Sequence, residues 1–158
     1  MRFQGEPCKA NDFHWEHVQL LCQSYRVLIG RDLLTGNLHD RDSAELLYIA
    51  PFVVVSHDTA HDPVFNYANR KALELFEMSW DEMTSLPSRY SAELPNQAER
   101  ARYLKMVKQN GFIENYSGIR ITKTGKRFRI EQAVVWNLID PSGTYRGQAA
   151  TFGHWEWL

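Results

Sequence analysis

Apolar and polar positions alternate with period two over Val64-Phe65-Asn66-Tyr67-Ala68 and then take helical spacing at Ala72, Leu73 and Phe76. A period that changes from two to 3.6 predicts a strand running straight into a helix. Asn69 stands at the junction, where its side-chain oxygen can accept hydrogen bonds from the first free N–H groups of the helix. The reversal therefore needs neither a glycine nor a long loop. Shortly after that helix, Ser79-Trp80-Asp81-Glu82 has the form of a capping box and predicts a second helix start.

The remaining pattern extends this unit in both directions. Residues 12 to 29 carry Trp15, Val18, Cys22, Tyr25 and Ile29 at alternating spacings of three and four, the seam of an amphipathic helix. Leu20, Leu21 and Leu28 fall on flanking or opposite faces, so the helix is expected to cover the outer face of a sheet, to form a dimer, or both. Gly30 and Thr35-Gly36-Asn37 break the pattern, and a short helix over 42 to 49 leads to Pro51. Next come a strand over 52 to 56, a polar turn over 57 to 62, the strand over 64 to 68, the two short helices and a proline-marked loop. A longer helix over 97 to 110 follows, with Asn96 and Glu99 as its capping pair and Gly111 as its stop. Three strands close the chain, over 112–121, 127–139 and 145–152. They are joined through Thr124-Gly125 and Asp140-Pro141-Ser142-Gly143, the turn chemistry of an antiparallel meander. The expected fold is α+β: a five-stranded antiparallel sheet with short helices on one face, plus the N-terminal amphipathic helix. It divides into an N-terminal helical extension, 1–42, and a core domain, 43–158.

Over roughly residues 43 to 153 the chain resembles the MEKHLA domain family. The resemblance rests on Pro51-Phe52-Val53-Val54-Val55-Ser56-His57-Asp58, on Phe65-Asn66-Tyr67-Ala68-Asn69 with Ala72-Leu73-Glu74-Leu75-Phe76, and on the run from Arg127 to Ile139. It implies a PAS-like fold and a sensory or regulatory role, and it brings no agreed catalytic or binding residues.

Composition fits a single unit, since 158 residues with 44% apolar content suffice for one core. No apolar run approaches the ~20 residues of a membrane span, and Met1 to Ala10 lacks the features of a signal peptide, so a cytoplasmic chain is expected. Cys8 and Cys22 fit reduced thiols. The net charge of −1 conceals an uneven distribution: between Glu99 and Arg129 nine basic residues face two acidic ones, leaving the other 127 residues at −8. Without a recognition helix, zinc-ligand spacing or an aromatic RNA-binding motif, this stripe is read as a solvated surface balanced by acidic neighbours, and nucleic acid is not an expected partner.

Alternation names the walls of a cavity between helices and sheet. Phe128, Ile130, Gln132, Val134 and Trp136 share one face, as do Phe65 and Tyr67, and Gln148 lies within cross-strand reach of Gln132. These eight residues are the candidate small-molecule site; Gln132 alternatively sits at a bulge or edge and bonds to backbone or water. No cofactor is assigned. A covalent flavin needs a cysteine beyond Cys22, and a haem needs a histidine within 88–111, and neither occurs. His57-Asp58-Thr59-Ala60-His61-Asp62 reads as a turn before it reads as a metal site, and His14 with His17 reads as a solvated face. Trp155 and Trp157 alternate like a strand and are expected to pack on the N-terminal helix. No phosphate loop, nucleophile elbow or zinc-protease motif is present, so no enzyme is expected. The expected function is a regulatory module that binds a small molecule or a protein partner as a homodimer through its N-terminal helix. Two other readings stand beside it: a cone-shaped α+β enzyme of the isomerase or dehydratase kind, and an interaction module with a filled core. Strand order separates the first, because a PAS sheet places strand 52–56 between the second and the last strands.

Overall fold

The computed structural model describes residues 5–34 and 41–158, so the break expected at Thr35-Gly36-Asn37 lies outside the described residues. Helix α1 spans Trp15–Ile29 and α2 spans Asp42–Tyr48. Strands β1 (Val53–His57) and β2 (Phe65–Ala68) form a hairpin that continues into α3 (Arg70–Phe76) and α4 (Trp80–Met83). Helix α5 (Leu94–Asn110) then leads to β3 (Phe112–Ile121), β4 (Arg127–Ile139), β5 (Tyr145–Phe152) and β6 (His154–Trp157). All pairings are antiparallel in the order β2-β1-β5-β4-β3. Strand β1 therefore lies between β2 and the last long strand, which excludes the cone-shaped alternative. Beyond Gly153, β6 continues along the first half of β4, with Ile130 opposite Trp155 and Phe128 opposite Trp157.

Asn69 does more than cap α3. Its Oδ1 accepts from Ala72 N (3.2 Å) and from Val54 N (3.1 Å), while its amide donates to Phe52 O (2.8 Å) and Leu47 O (3.1 Å). One fully buried side chain thus ties α3, β1 and the end of α2 together. The second start is also built as its sequence indicates, since Glu82 N donates to Ser79 Oγ and Ser79 N to Glu82 Oε1.

Helix α1 covers the outer face of the sheet. Its buried row is His17, Val18, Leu21, Ser24 and Tyr25, with His14 buried just before its first residue, and it is turned from the expected seam by two histidines and a serine that find partners. His17 Nε2 donates to Ser56 Oγ (2.8 Å), because the single hydroxyl proton of Ser56 goes to Asn66 Oδ1 (2.6 Å). Ser24 Oγ accepts from Ile139 N (2.9 Å) and donates to Ile139 O (3.0 Å). His14 donates to Gly5 O (2.8 Å) and stacks on Trp80 at 5.3 Å. The solvated face expected for His14 and His17 is thus corrected, since polar groups enter a core when hydrogen-bonded. The helix starts at Trp15 rather than residue 12 because Asp12, Phe13 and His14 take left-handed φ values of 53°, 52° and 56°. Helix α5 starts earlier than expected, at Leu94, with Pro95 in its first turn, where the missing N–H costs no hydrogen bond.

Two bulges alter the expected faces. At Gln132 φ is 54°, and in β2 the register passes from Ser56 opposite Tyr67 to His57 opposite Phe65. An extra residue reverses the in-out parity of everything beyond it. Phe128, Ile130 and Phe65 therefore face inward, toward α3 and α5, whereas Val134, Trp136 and Tyr67 face outward beneath α1. Trp136 meets Tyr25 edge-on at 4.9 Å, and Tyr67 packs on His17 and Trp80. Trp155 and Trp157 do occupy a strand, but they pack on Phe152 and Phe128, with Lys71 of α3 over Trp155, and not on α1.

Candidate functional site

The inner face and α5 line a partly open cavity of about 50 Å³. Its apolar wall comes from Val55, Phe65, Phe76, Ile130, Val135 and Phe152. Its polar lining includes Ser56, His57, Ser91, Arg100, Tyr116, Arg120 and Gln148, with no carboxylate among the described residues.

Each polar group is placed by the backbone beneath it. On β3, period two puts Tyr116, Gly118 and Arg120 in one buried row. A Cβ at Gly118 would lie 2.7 Å from Tyr116 Oη and 2.8 Å from Arg120 Nη1, so glycine there lets Arg120 fold back. Arg120 is 8% exposed; it donates from Nη2 to Tyr116 Oη (3.0 Å) and from Nη1 to Ile119 O (2.9 Å). Arg100, half-buried on α5, makes no ion pair or hydrogen bond to the described residues, and burial, followed by the like charge of Arg120, draws its guanidinium down to about 9. It stays protonated at neutral pH.

His57 closes β1. Its Nδ1 donates to Asp58 O (2.9 Å), and its buried Nε2 has no hydrogen-bond partner. Burial holds this imidazole below the usual histidine range, against the upward pull of its hydrogen bond to Asp58 O, and Gln148 stands outside hydrogen-bonding geometry to Nε2. Gln148 instead donates to Leu104 O (2.9 Å) and Asn137 Oδ1 (3.2 Å), and Asn137 donates to Val107 O (3.1 Å) and Lys108 O (3.2 Å). These two amides bind the C-terminal half of α5 to the sheet. Its N-terminal half is held through the ion pair between Arg127 and Glu93.

Of the eight residues expected from alternation, Phe65, Ile130 and Gln148 line this cavity. Phe128 is buried beside it, against Phe76 at 5.3 Å. Tyr67, Val134 and Trp136 lie across the sheet, and Gln132 is exposed at its bulge. Alternation without knowledge of the bulges does not find Arg100, Arg120 and His57. A signal for Arg120 does exist, because a charged residue two places from glycine and four from tyrosine in an otherwise buried row is out of pattern. The basic stripe resolves into separate uses: Lys123, Lys126, Arg127 and Arg129 pair with Glu82, Glu77, Glu93 and Glu156, while Arg100 and Arg120 turn inward. In the 57–62 segment Asp58 Oδ1 accepts from Ala60 N and Val64 N, so its carboxylate builds the turn. Among the described residues no cluster of three or more metal-binding side chains occurs, and no helix is long and apolar enough to cross a membrane.

A sheet ordered β2-β1-β5-β4-β3, with short helices and α5 over a pocket, is the PAS fold. Solved structures share the fold. The PAS domain of a protein from Colwellia psychrerythraea gives a TM-score of 0.60 at 13% identity, covering 75% of this chain and 95% of that one. An RNA-binding light-oxygen-voltage receptor gives 0.62 at 16% identity, covering 77% and 35%. The light-state dimer of the fungal blue-light photoreceptor Vivid gives 0.56 at 16% identity, covering 82% and 90%. The MEKHLA domain model matches residues 15–157, and the chain belongs to the MEKHLA domain family, a PAS-like sensory family and not an enzymatic one. Curated relatives include the homeobox-leucine zipper proteins HOX10 of Oryza sativa, 22% identical over 139 residues, and ATHB-9 of Arabidopsis thaliana, 24% identical over 148 residues. The matches take in 87% and 89% of this chain, which spans 17% of the length of either relative.

Proposed function

We propose that the protein is a regulatory module that senses a small molecule in the cavity beneath α5 and conveys the change to a partner, acting as a cytoplasmic homodimer. The observation that carries this reading is a pocket in which two polar groups, Arg100 and the Nε2 of His57, have no hydrogen-bond or ion-pair partner among the described residues. Such groups are costly in a core and useful in a site. Helix α5 is suited to report occupancy because Val107 is its one fully buried side chain, so little packing opposes a shift of its N-terminal half.

In this reading residues 43–158 form the sensing unit and residues 1–42 the element that conveys its state. Association of two copies through α1 is supported by Val27, 82% exposed on the face turned away from the sheet, and by the dimer described for Vivid. Native mass spectrometry and an absorbance spectrum of freshly purified protein test the proposal together. A retained small molecule and a mass of two chains are expected. Val27→Lys is expected to give the mass of one chain, and an unaltered mass counts against the α1 interface. The filled-core interaction module predicts no retained molecule and no response of cavity residues to any added one.

A further inference from the structure

Among the described residues, most arginines and lysines on this surface meet a carboxylate or an aromatic ring at the protein–water boundary. The two arginines of the cavity differ. Arg120 lies more than nine-tenths buried and uses two of its five N–H donors, one on its neighbour's carbonyl and one on Tyr116. Arg120 disfavours the charge on Arg100 and Arg100 in turn that on His57, yet no acidic side chain lines the space they share. Two like charges brought together in a low-dielectric pocket without a counter-charge are costly, and an anion between them removes that cost. We propose that the cavity binds a short-chain carboxylate, held by the Arg100 and Arg120 guanidiniums, with its carbon tail against Phe65, Ile130 and Val135. This rests on the reading of the cavity as a sensory site.

Size and wall chemistry narrow the class. A volume of about 50 Å³ corresponds to roughly four water-sized positions, which suits an acid of two to four carbons. Inorganic phosphate also answers guanidinium, but it would turn oxygens toward phenylalanine and isoleucine walls that offer no donor. The His57 ring adds a further feature. Because Nδ1 carries the proton given to Asp58 O, Nε2 is a lone pair, and a ligand hydroxyl can donate to it. Lactate joins all three elements: carboxylate, short apolar tail and hydroxyl. Since Arg100 rides on α5 while Arg120 is fixed in β3, closure on the anion draws the N-terminal half of the helix toward the sheet.

The test is a titration of the full chain with lactate, followed by amide shifts in two-dimensional NMR, with lactamide as the neutral counterpart and inorganic phosphate as the competing anion. Saturable shifts at Ile130, Gln148 and Ala150 are expected for lactate. Lactamide, and lactate on the Arg100→Met variant, should bind about tenfold or more weakly, the loss of a charge-assisted hydrogen bond. Thermal unfolding of that variant checks that it folds. Lactamide binding as tightly as lactate, phosphate binding more tightly, or Arg100→Met leaving affinity unaltered would each overturn the carboxylate assignment while leaving a small-molecule site in place. If neither these molecules nor a neutral fragment set moves any cavity resonance, the sensory reading falls as well.

Discussion

On the outer face of the sheet, Val18, Leu21 and Tyr25 of α1 close over Trp136 and Tyr67, and the two histidines that enter this layer are hydrogen-bonded. On the inner face, α5 contributes Val107 as its one buried side chain and brings Arg100 toward Arg120 and an unpartnered imidazole nitrogen. The same strands serve both layers. The outer layer does hold two buried donors without partners, Tyr67 Oη and Trp136 Nε1, but these belong to rings packed in an aromatic cluster and border no cavity charge. The contrast teaches that stability and reception are separated across the sheet: apolar closure on one side permits an electrostatically incomplete pocket on the other.

The outer layer should fail first. Trp136→Ala removes a fully buried ring beneath Tyr25 and is expected to cost about 3–5 kcal/mol in denaturant unfolding. A loss under 1 kcal/mol would show that α1 is not part of the core. Asn69→Ala strikes the joint between the layers, leaving the partners of four hydrogen bonds to find new ones, and about 3 kcal/mol is expected. Retained stability would place the connection elsewhere.

Acid probes the outer layer's polar inserts. Burial, and secondarily the charge of His14, lower His17 to about 3, so the folded protein keeps this ring neutral while the unfolded chain takes up a proton near pH 6.5. Stability from this group is therefore complete above pH 6.5 and is lost as pH falls toward 3. Between pH 6.5 and 5 the loss amounts to about 2 kcal/mol, in the same direction as the depressed His14 and His57. His17→Phe should flatten that part of the pH–stability curve; an unaltered slope would assign the acid sensitivity to the other two rings. The smallest effect is expected on the inner face. Arg100→Met removes an unpaired cation beside a second one and should shift stability by less than about 1 kcal/mol, with stabilisation the expected sign. A substantial loss would mean that Arg100 supports the fold and not a ligand.

The sheet, its hairpins, the Asn69 junction and the Ser79–Glu82 box were legible in the chain because each rests on contacts between near neighbours, where period and capping chemistry decide. The pocket was legible only in part. Phe65, Ile130 and Gln148, named from alternation, lie along the cavity, whereas Tyr67, Val134 and Trp136 lie across the sheet because single extra residues in β2 and at Gln132 reverse parity. A bulge leaves little local trace when the residue that adopts positive φ is not glycine.

What the amino-acid order determined by itself was the succession of elements and the family to which they belong, since hydrogen-bond caps and short turns act within a few positions. Which side chains meet was decided only by tertiary packing. Residues 100 and 120 come from a helix and a strand, and a glycine two positions before Arg120 turns its guanidinium inward, so charges that look like surface in the sequence become the lining of a pocket.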